Sequence, residues 1–164
     1  MFFTIQDKIE YSRLSFDEKI LFLINTDNFE NKIIVDEIVF MKEVFVSDDE
    51  NGYFCVATSS SEETINFCYI RDKNGKLEFA GKSIADLNAI IENKDPAAFG
   101  QTSILNFSKI DFYFGCYCHA DNLKIAVDGE EVSTDSFSVN YSGETYNMDF
   151  WLVCSENEPT VTVK

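Results

Sequence analysis

The segment IDFYFGCYCH, residues Ile110 to His119, has an apolar side chain at every second position. Side chains that alternate with a period of two point to opposite faces of a β-sheet. The apolar face of this segment would carry Ile110, Phe112, Phe114, Cys116 and Cys118. The segment therefore predicts a β-strand with one face in a hydrophobic core, and it sets the pattern for the rest of the C-terminal half.

The residues after His119 repeat this alternation between turn signals. Asp128-Gly129 and Ser142-Gly143 each place a glycine where a tight turn needs a positive φ. The segments that flank these turns carry three further apolar sets, which are Leu123, Ile125 and Val127; Phe137, Val139 and Tyr141; and Tyr146, Met148, Phe150, Leu152 and Cys154. The C-terminal half is therefore predicted to be a series of antiparallel strands and hairpins.

The N-terminal half contains similar signals. Asp72-Lys73-Asn74-Gly75 predicts a hairpin turn between Thr64–Ile70 and Lys76–Phe79, because both residues of an Asn-Gly pair accept positive φ. Ile33 to Val46 is rich in β-branched and aromatic residues. The acidic run from Asp48 to Gly52 reads as the turn into a strand over Tyr53–Thr58.

Two capping signatures predict helices. Ser15 followed by Glu18 forms a capping box pattern before Ile20, Leu23 and Ile24, although Ile20–Ile24 also fits a buried strand. Ser83-Ile84-Ala85-Asp86 predicts a second helix start. The apolar residues that would follow it are spaced helically, and Pro96 bars continuation.

The predicted fold class is α+β, a mostly antiparallel, hairpin-rich β-sheet with two or three helices packed on it. A chain of 164 residues is about one domain and long enough to bury a core. We therefore predict a single domain over residues 1–164. A boundary between two subdomains near residues 94–102 is the alternative.

The charge is the strongest functional signal in the chain. There are 29 Asp and Glu residues against 13 Lys and Arg, for a net charge of -16. No Lys or Arg occurs between Ile125 and Val163, which contain Asp128, Glu130, Glu131, Asp135, Glu144, Asp149, Glu156 and Glu158. Such a field repels nucleic acid and anionic membranes and attracts basic surfaces. The 15% aromatic content argues against a disordered acidic tail.

The cysteine count and the N-terminus bear on the compartment. Five cysteines, an odd number, suit reduced thiols, and residues 1–7 show no secretory signal pattern. The longest apolar run, Ile20–Ile24, is too short to span a bilayer. We predict a cytoplasmic protein.

The sequence shows no strong catalytic, cofactor or metal motif. Cys116, Cys118 and His119 are the first place to look for zinc, but Cys-x-Cys within a strand does not favour ligands converging on one ion. Core cysteines are the preferred interpretation, and a metal site is the alternative. His119 is the sole histidine, so any Ser-His or Cys-His nucleophile would depend on it. We predict no catalytic residues, no cofactor and no metal.

The non-core face of the C-terminal strands is rich in aromatic and acidic residues. The inferred register places there Asp111, Tyr113, Tyr117, His119, Asn147, Asp149 and Trp151. This face is either an exposed interaction surface or one covered by a helix layer with its aromatics buried. An exposed face would suit protein recognition or, through its flat rings, sugar stacking.

The sequence therefore favours an acidic binding protein over an enzyme. It would inhibit or sequester a basic partner, such as a nuclease or another nucleic-acid-processing enzyme or defence complex, by occluding a cationic surface. Toxin immunity proteins and phage inhibitors of nuclease defence share this acidic character by analogy alone. The predicted partner-binding residues are Asp48, Asp49, Glu50, Tyr117, Asp128, Glu130, Glu131, Glu144, Asp149, Trp151, Glu156 and Glu158. Trp151 or Tyr117 would be the aromatic anchor.

Two alternatives belong to other classes. One is a β-rich recognition or structural module that binds carbohydrate through Tyr113, Tyr117 and Trp151. The other is a small hydrolase, which would need a pocket with convergent polar groups and a perturbed carboxylate, thiol or imidazole.

Overall fold

A computed structural model describes residues 11–26, 34–47, 50–59, 63–93, 102–104 and 111–164. Its helices with assigned bounds are α1 (Phe16–Thr26) and α2 (Leu87–Glu92). Its strands are β1 (Glu37–Ser47), β2 (Glu50–Ser59), β3 (Thr64–Lys73), β4 (Lys76–Asp86), β5 (Thr102–Ile104), β6 (Asp111–Cys118), β7 (Ile125–Val127), β8 (Glu130–Glu131), β9 (Asp135–Tyr141), β10 (Glu144–Ser155) and β11 (Val161–Val163). The chain is mostly antiparallel β-sheet with a few short helices, and the predicted fold class is confirmed to that extent.

The first sheet contains β1, β2, β3 and β4 in chain order, with each neighbouring pair antiparallel. The predicted turn between β3 and β4 is confirmed, since Asn74 and Gly75 have φ values of 56° and 83°. The amide of Gly75 also donates a 2.7 Å hydrogen bond to Asp72 Oδ1. Local turn chemistry therefore fixes the register of this hairpin.

The C-terminal half forms two further sheets. The second sheet has the order β5-β6-β10-β9, and the third sheet has the order β11-β7-β8. Both predicted turns are confirmed by positive φ at their two central residues, Asp128-Gly129 between β7 and β8 and Ser142-Gly143 between β9 and β10.

The main core lies between the first and second sheets. Alternation along β2 and β3 directs Phe54 and Phe67 toward β6 and β10, where their rings meet Phe114 and Phe150. Phe54 lies 5.2 Å from Phe114 and 5.4 Å from Phe150, measured between ring centroids. Burial of this aromatic cluster is the main driving force holding the two sheets together.

Helix α1 covers the other face of the first sheet. The capping box predicted at its start is confirmed, because the Ser15 amide donates to Glu18 Oε2 at 2.7 Å and the Glu18 amide donates to Ser15 Oγ at 3.3 Å. The buried face of α1 packs on the thiols of β2 and β3 in a second core that contains Ile20, Leu23, Ile24, Val35, Cys55, Ala57, Cys68 and Ile70.

The predicted start of the second helix is wrong by three residues, because the cap is Asp86 and not Ser83. Ser83 to Asp86 belong to β4, which pairs with β3 as far as Asp86 opposite Thr64. The helix begins at Leu87, and the side chain of Asp86 caps it by accepting a 3.1 Å hydrogen bond from the Ala89 amide. Strand pairing overrides the serine capping signal.

The third sheet covers the outer face of the second sheet. Tyr113, Tyr117 and Trp151 are buried beneath it, together with Ile125 and Val127 of β7. An exposed aromatic face on the second sheet is therefore a wrong prediction. The face is covered, and a small sheet covers it rather than a helix layer.

The single-domain prediction remains a prediction. Residues of β1 to β3 and of β6, β9 and β10 share the main core cluster. Residues 94–101 of the proposed subdomain boundary lie outside the described residues.

Candidate functional site

The predicted acidic contact residues are spread over the molecule. Two of the predicted contacts, Asp48 and Asp49, lie outside the described residues. A third, Glu50, is described only as the first residue of β2. The exposed members are Asp128, Glu130, Glu131, Glu144, Glu156 and Glu158. Glu144 begins β10 and Glu156 follows its end, so a strand of 12 residues separates them. At 3.3 Å per residue the 12 steps from Glu144 to Glu156 span about 40 Å.

One lysine also lies within this acidic set. Lys124 Nζ lies 2.9 Å from Glu131 Oε1, and both side chains are exposed. Asp128 has a structural role, because its Oδ1 accepts a 2.8 Å hydrogen bond from the Thr160 amide. Two of the predicted acids, Glu144 and Glu156, therefore lie at opposite ends of β10, and a third, Glu131, has a lysine beside it. Whether any of them contacts a partner stays a prediction.

Three of the predicted contact residues are not on the surface. Trp151 is 0%, Tyr117 2% and Asp149 6% exposed. Trp151 lies opposite Gly115 of β6, where a Cβ atom would collide with the indole ring. The indole therefore needs the glycine beside it. These residues support the third sheet from below, so they cannot serve as partner anchors or as an open sugar platform in this structure.

The carboxylate of Asp149 is held by two side chains. Ser136 Oγ donates to Asp149 Oδ1 at 2.7 Å, and His119 Nδ1 lies 2.9 Å from Asp149 Oδ2. Asp149 and then Asp121 raise the pKa of His119 by hydrogen bonding and charge. A Ser-His-Asp triad needs the serine hydroxyl bound to the imidazole, whereas this one donates to the carboxylate. The cluster therefore satisfies a buried charge and does not activate a nucleophile.

Burial disfavours the reactive thiolate at four of the five cysteines. Burial raises the pKa of Cys55, Cys116 and Cys118, which favours the protonated thiol. Cys118 Sγ contacts Met148 Sδ at 3.9 Å within the core. Across the described residues, no three His, Cys, Asp or Glu side chains are arranged to hold a metal ion.

A cleft at one end of the two main sheets is the strongest candidate site. It has a volume of about 250 Å³ and is lined by Asp36, Glu37, Thr58, Ser59, Glu63, Leu87, Asn140, Tyr141 and Ser142. The start of β1, the end of β2, the start of β3 and the hairpin of β9 and β10 meet there. We call this the acidic cleft, because three of its side chains are carboxylic acids and none of these lining residues is Lys or Arg.

Backbone hydrogen bonds position the carboxylates of the acidic cleft. The Asp36 amide donates to Thr58 O at 2.8 Å, and Glu63 O accepts from the Leu87 amide at 3.0 Å. The hydroxyl of Tyr141 donates to Glu63 Oε2 at 3.4 Å. Burial, followed by the charge of Glu63, raises the pKa of Tyr141, so the phenol stays protonated and remains a donor.

The chemistry of the acidic cleft is that of a small cation receptor. Exposed carboxylates at Asp36, Glu37 and Glu63 can pair with an ammonium or guanidinium group, and the hydroxyl and amide oxygens around them can accept hydrogen bonds from its remaining N–H groups. Its volume is below that of a typical drug-sized site, which suits one side chain. Sequence reasoning missed the cleft because its residues come from segments far apart in the chain and carry no common pattern.

Comparisons of the chain with family models, curated proteins and solved structures found no match. In the part of the chain that the structure describes, no helix combines the length and apolar character needed to cross a membrane.

Proposed function

We propose that this chain is a binding protein for a basic partner and that the acidic cleft receives a Lys or Arg side chain of that partner. The observation that carries this proposal is the cleft itself, which has a volume suited to one side chain and whose lining residues include three carboxylic acids and no Lys or Arg. The net charge of -16 supports it, since a strong field of one sign speeds the approach of an oppositely charged protein.

The partner we propose is a protein with a cationic surface, such as a nucleic-acid-processing enzyme. The action is occlusion of that surface and involves no chemical step. Exposed ion pairs contribute less than about 1 kcal/mol each. A concave site, in which several carboxylates act on one cation, gains more than the same acids dispersed over a flat surface.

The test is a titration of the protein with a hexa-arginine peptide by isothermal calorimetry. Glu63→Gln removes one charge inside the acidic cleft, and Glu156→Gln removes one charge at an exposed position near the other end of β10. We expect the first variant to weaken binding about fivefold, equivalent to about 1 kcal/mol, and the second less than twofold. Affinity should also fall steeply as salt is added.

Two results would contradict the proposal. Equal weakening by the two variants would mean that only net charge matters and that the acidic cleft is not a site. Binding that does not change between low and high salt would remove the electrostatic basis altogether.

A further inference from the structure

A second surface feature lies on the face of the first sheet that carries α1. Phe45 of β1 is 73% exposed and Phe16 of α1 is 42% exposed. Phe16 meets Tyr53 of β2 edge-on, with ring centroids 4.9 Å apart. We call Phe16, Phe45 and Tyr53 the aromatic patch.

Strand register places these rings on one face. Phe45 lies opposite Asn51, and Glu43 lies opposite Tyr53, so Phe45 and Tyr53 are diagonal neighbours across β1 and β2. Val44, next to Phe45, belongs to the main core, so alternation turns Phe45 to the opposite face. Two exposed phenylalanines on either side of the half-buried Tyr53 form an apolar surface of the kind that marks interaction sites.

The rim of the aromatic patch is negative. Glu43 of β1 lies directly opposite Tyr53, and Asp72 of β3 lies opposite Asn51 and is therefore a diagonal neighbour of Tyr53 on the same face. Asp17, in the first turn of α1, is exposed beside Phe16.

Among the described residues, three lysines that are close in sequence to Phe16 or Asp72 make contacts elsewhere. Lys73 and Lys76 bind Glu78 at 3.2 Å and 2.8 Å, and alternation along β3 turns Lys73 to the face opposite that of Asp72. Lys19, three residues after Phe16, lies over the ring of Tyr11.

We propose that the aromatic patch is a docking surface for a basic protein that presents an apolar side chain surrounded by Lys or Arg residues. Aromatic residues at the centre of a contact supply most of its binding energy, and charges at the rim supply steering and register. The negative rim selects a basic partner over a second copy of this chain, since two such rims would repel each other.

The aromatic patch and the acidic cleft are separate surfaces. Glu37 of the cleft and Phe45 of the patch are eight residues apart on β1, which is about 26 Å at 3.3 Å per residue. The carboxylates around the aromatic patch are themselves the reason to expect a basic partner. The inference therefore goes beyond the proposed function and does not depend on the acidic cleft.

The experiment uses the ¹⁵N-labelled full chain and a peptide of alternating Arg and Leu as the probe. Saturable shifts of the Phe45 and Tyr53 amides are expected. Phe45→Ser should weaken binding about tenfold, as for an interface anchor. Ile34→Ser is the matched control, because Ile34 is also an exposed apolar residue, at 55%, but lies outside the patch. It should leave the affinity unchanged, and both substitutions are at surface positions.

Three outcomes would overturn the inference. Binding that survives Phe45→Ser but is lost in Glu63→Gln would assign the probe to the acidic cleft and leave the proposed function intact. Self-association of the free chain that Phe45→Ser abolishes would identify the occupant as a second copy. Absence of saturable shifts at Phe45 and Tyr53 would remove the docking surface. Normal binding of the probe to the aromatic patch in Glu63→Gln would show that the patch acts independently of the acidic cleft. The docking surface would then stand even if the cleft proposal failed its own test.

Discussion

Substitution of Gly115 by alanine tests how tightly the third sheet is packed onto the second. A Cβ atom at Gly115 would fall on the Nε1 and Cε2 atoms of Trp151, which is 0% exposed. The ring cannot move outward, because the third sheet lies over it. Overpacking of this kind costs about 1–3 kcal/mol. We expect Gly115→Ala to lose about 2 kcal/mol of unfolding free energy, or about 4–8 °C in Tm for a chain of this size.

Urea unfolding followed by circular dichroism measures the loss, and fluorescence reports on the ring because the chain has one tryptophan. Gly143→Ala is the control. Gly143 has a φ of 81° and open space around it, so its cost of about 1 kcal/mol is backbone strain and the emission spectrum should not change. Replacing Trp151 by Phe should reduce the cost of Gly115→Ala. The reasoning fails if Gly115→Ala lowers the free energy of unfolding equally with Trp151 and with phenylalanine at position 151, and if the tryptophan emission of Gly115→Ala equals that of the wild type.

Three further substitutions test local features by their effect on stability. Asp86→Ala should lower the free energy of unfolding by urea by about 1 kcal/mol, because it removes the N-cap of α2. Ser83→Ala should change it by less than about 0.5 kcal/mol. A larger loss in Ser83→Ala than in Asp86→Ala would mean that the serine is the cap. Asp128→Ala should cost about 1–2 kcal/mol, since it loses a hydrogen bond at a φ of 51°, and Asp128→Asn should cost less; equal costs would contradict this. His119→Gln should lower Tm more at about pH 5.5 than at about pH 8.5. The folded-state pKa of His119 is raised, so its stabilisation through Asp149 is complete below the unfolded pKa of about 6.5 and is lost as pH rises through the folded value. A Tm difference independent of pH would contradict the ion pair.

The turns could be predicted from the sequence because their determinants are local. Asn74-Gly75, Asp128-Gly129 and Ser142-Gly143 each require positive φ at consecutive residues, and few residue pairs accept it. The capping box of α1 is local in the same way, with both of its hydrogen bonds formed within four residues. These signals, together with alternation, were enough to give the hairpins and the main core faces.

The start of α2 and the cover of the second sheet could not be predicted, because both depend on distant residues. Ser83 carries a helix-start pattern, but pairing with β3 keeps it in a strand. Alternation shows that Trp151 points away from the main core, yet it does not show what lies on that side. That side is covered by a sheet assembled from β7, β8 and β11, in which β9 and β10 separate β11 from the other two strands along the chain.

The candidate sites illustrate the same limit. Composition shows that the chain is acidic, but the acidic cleft depends on Asp36, Glu63 and Tyr141 meeting through tertiary structure. Trp151 and Tyr117 were chosen as anchors from residue type alone, and because both are buried neither can contact a partner in this structure. The exposure of Phe45 could not be inferred, because Val44 and Val46 on either side of it are core residues and the apolar run Val44-Phe45-Val46 does not show which face is left uncovered.

Cys55 and Cys68 lie directly opposite each other on β2 and β3 beneath α1, and both are 0% exposed. A thiol reagent can reach them only when the helix lifts away from the sheet, whereas the exposed Cys154 is open to attack in the closed protein. Labelling kinetics at these positions therefore measure how often this layer opens without global unfolding. The labelling rate of Cys55 and Cys68 thus reports how often α1 detaches from the first sheet.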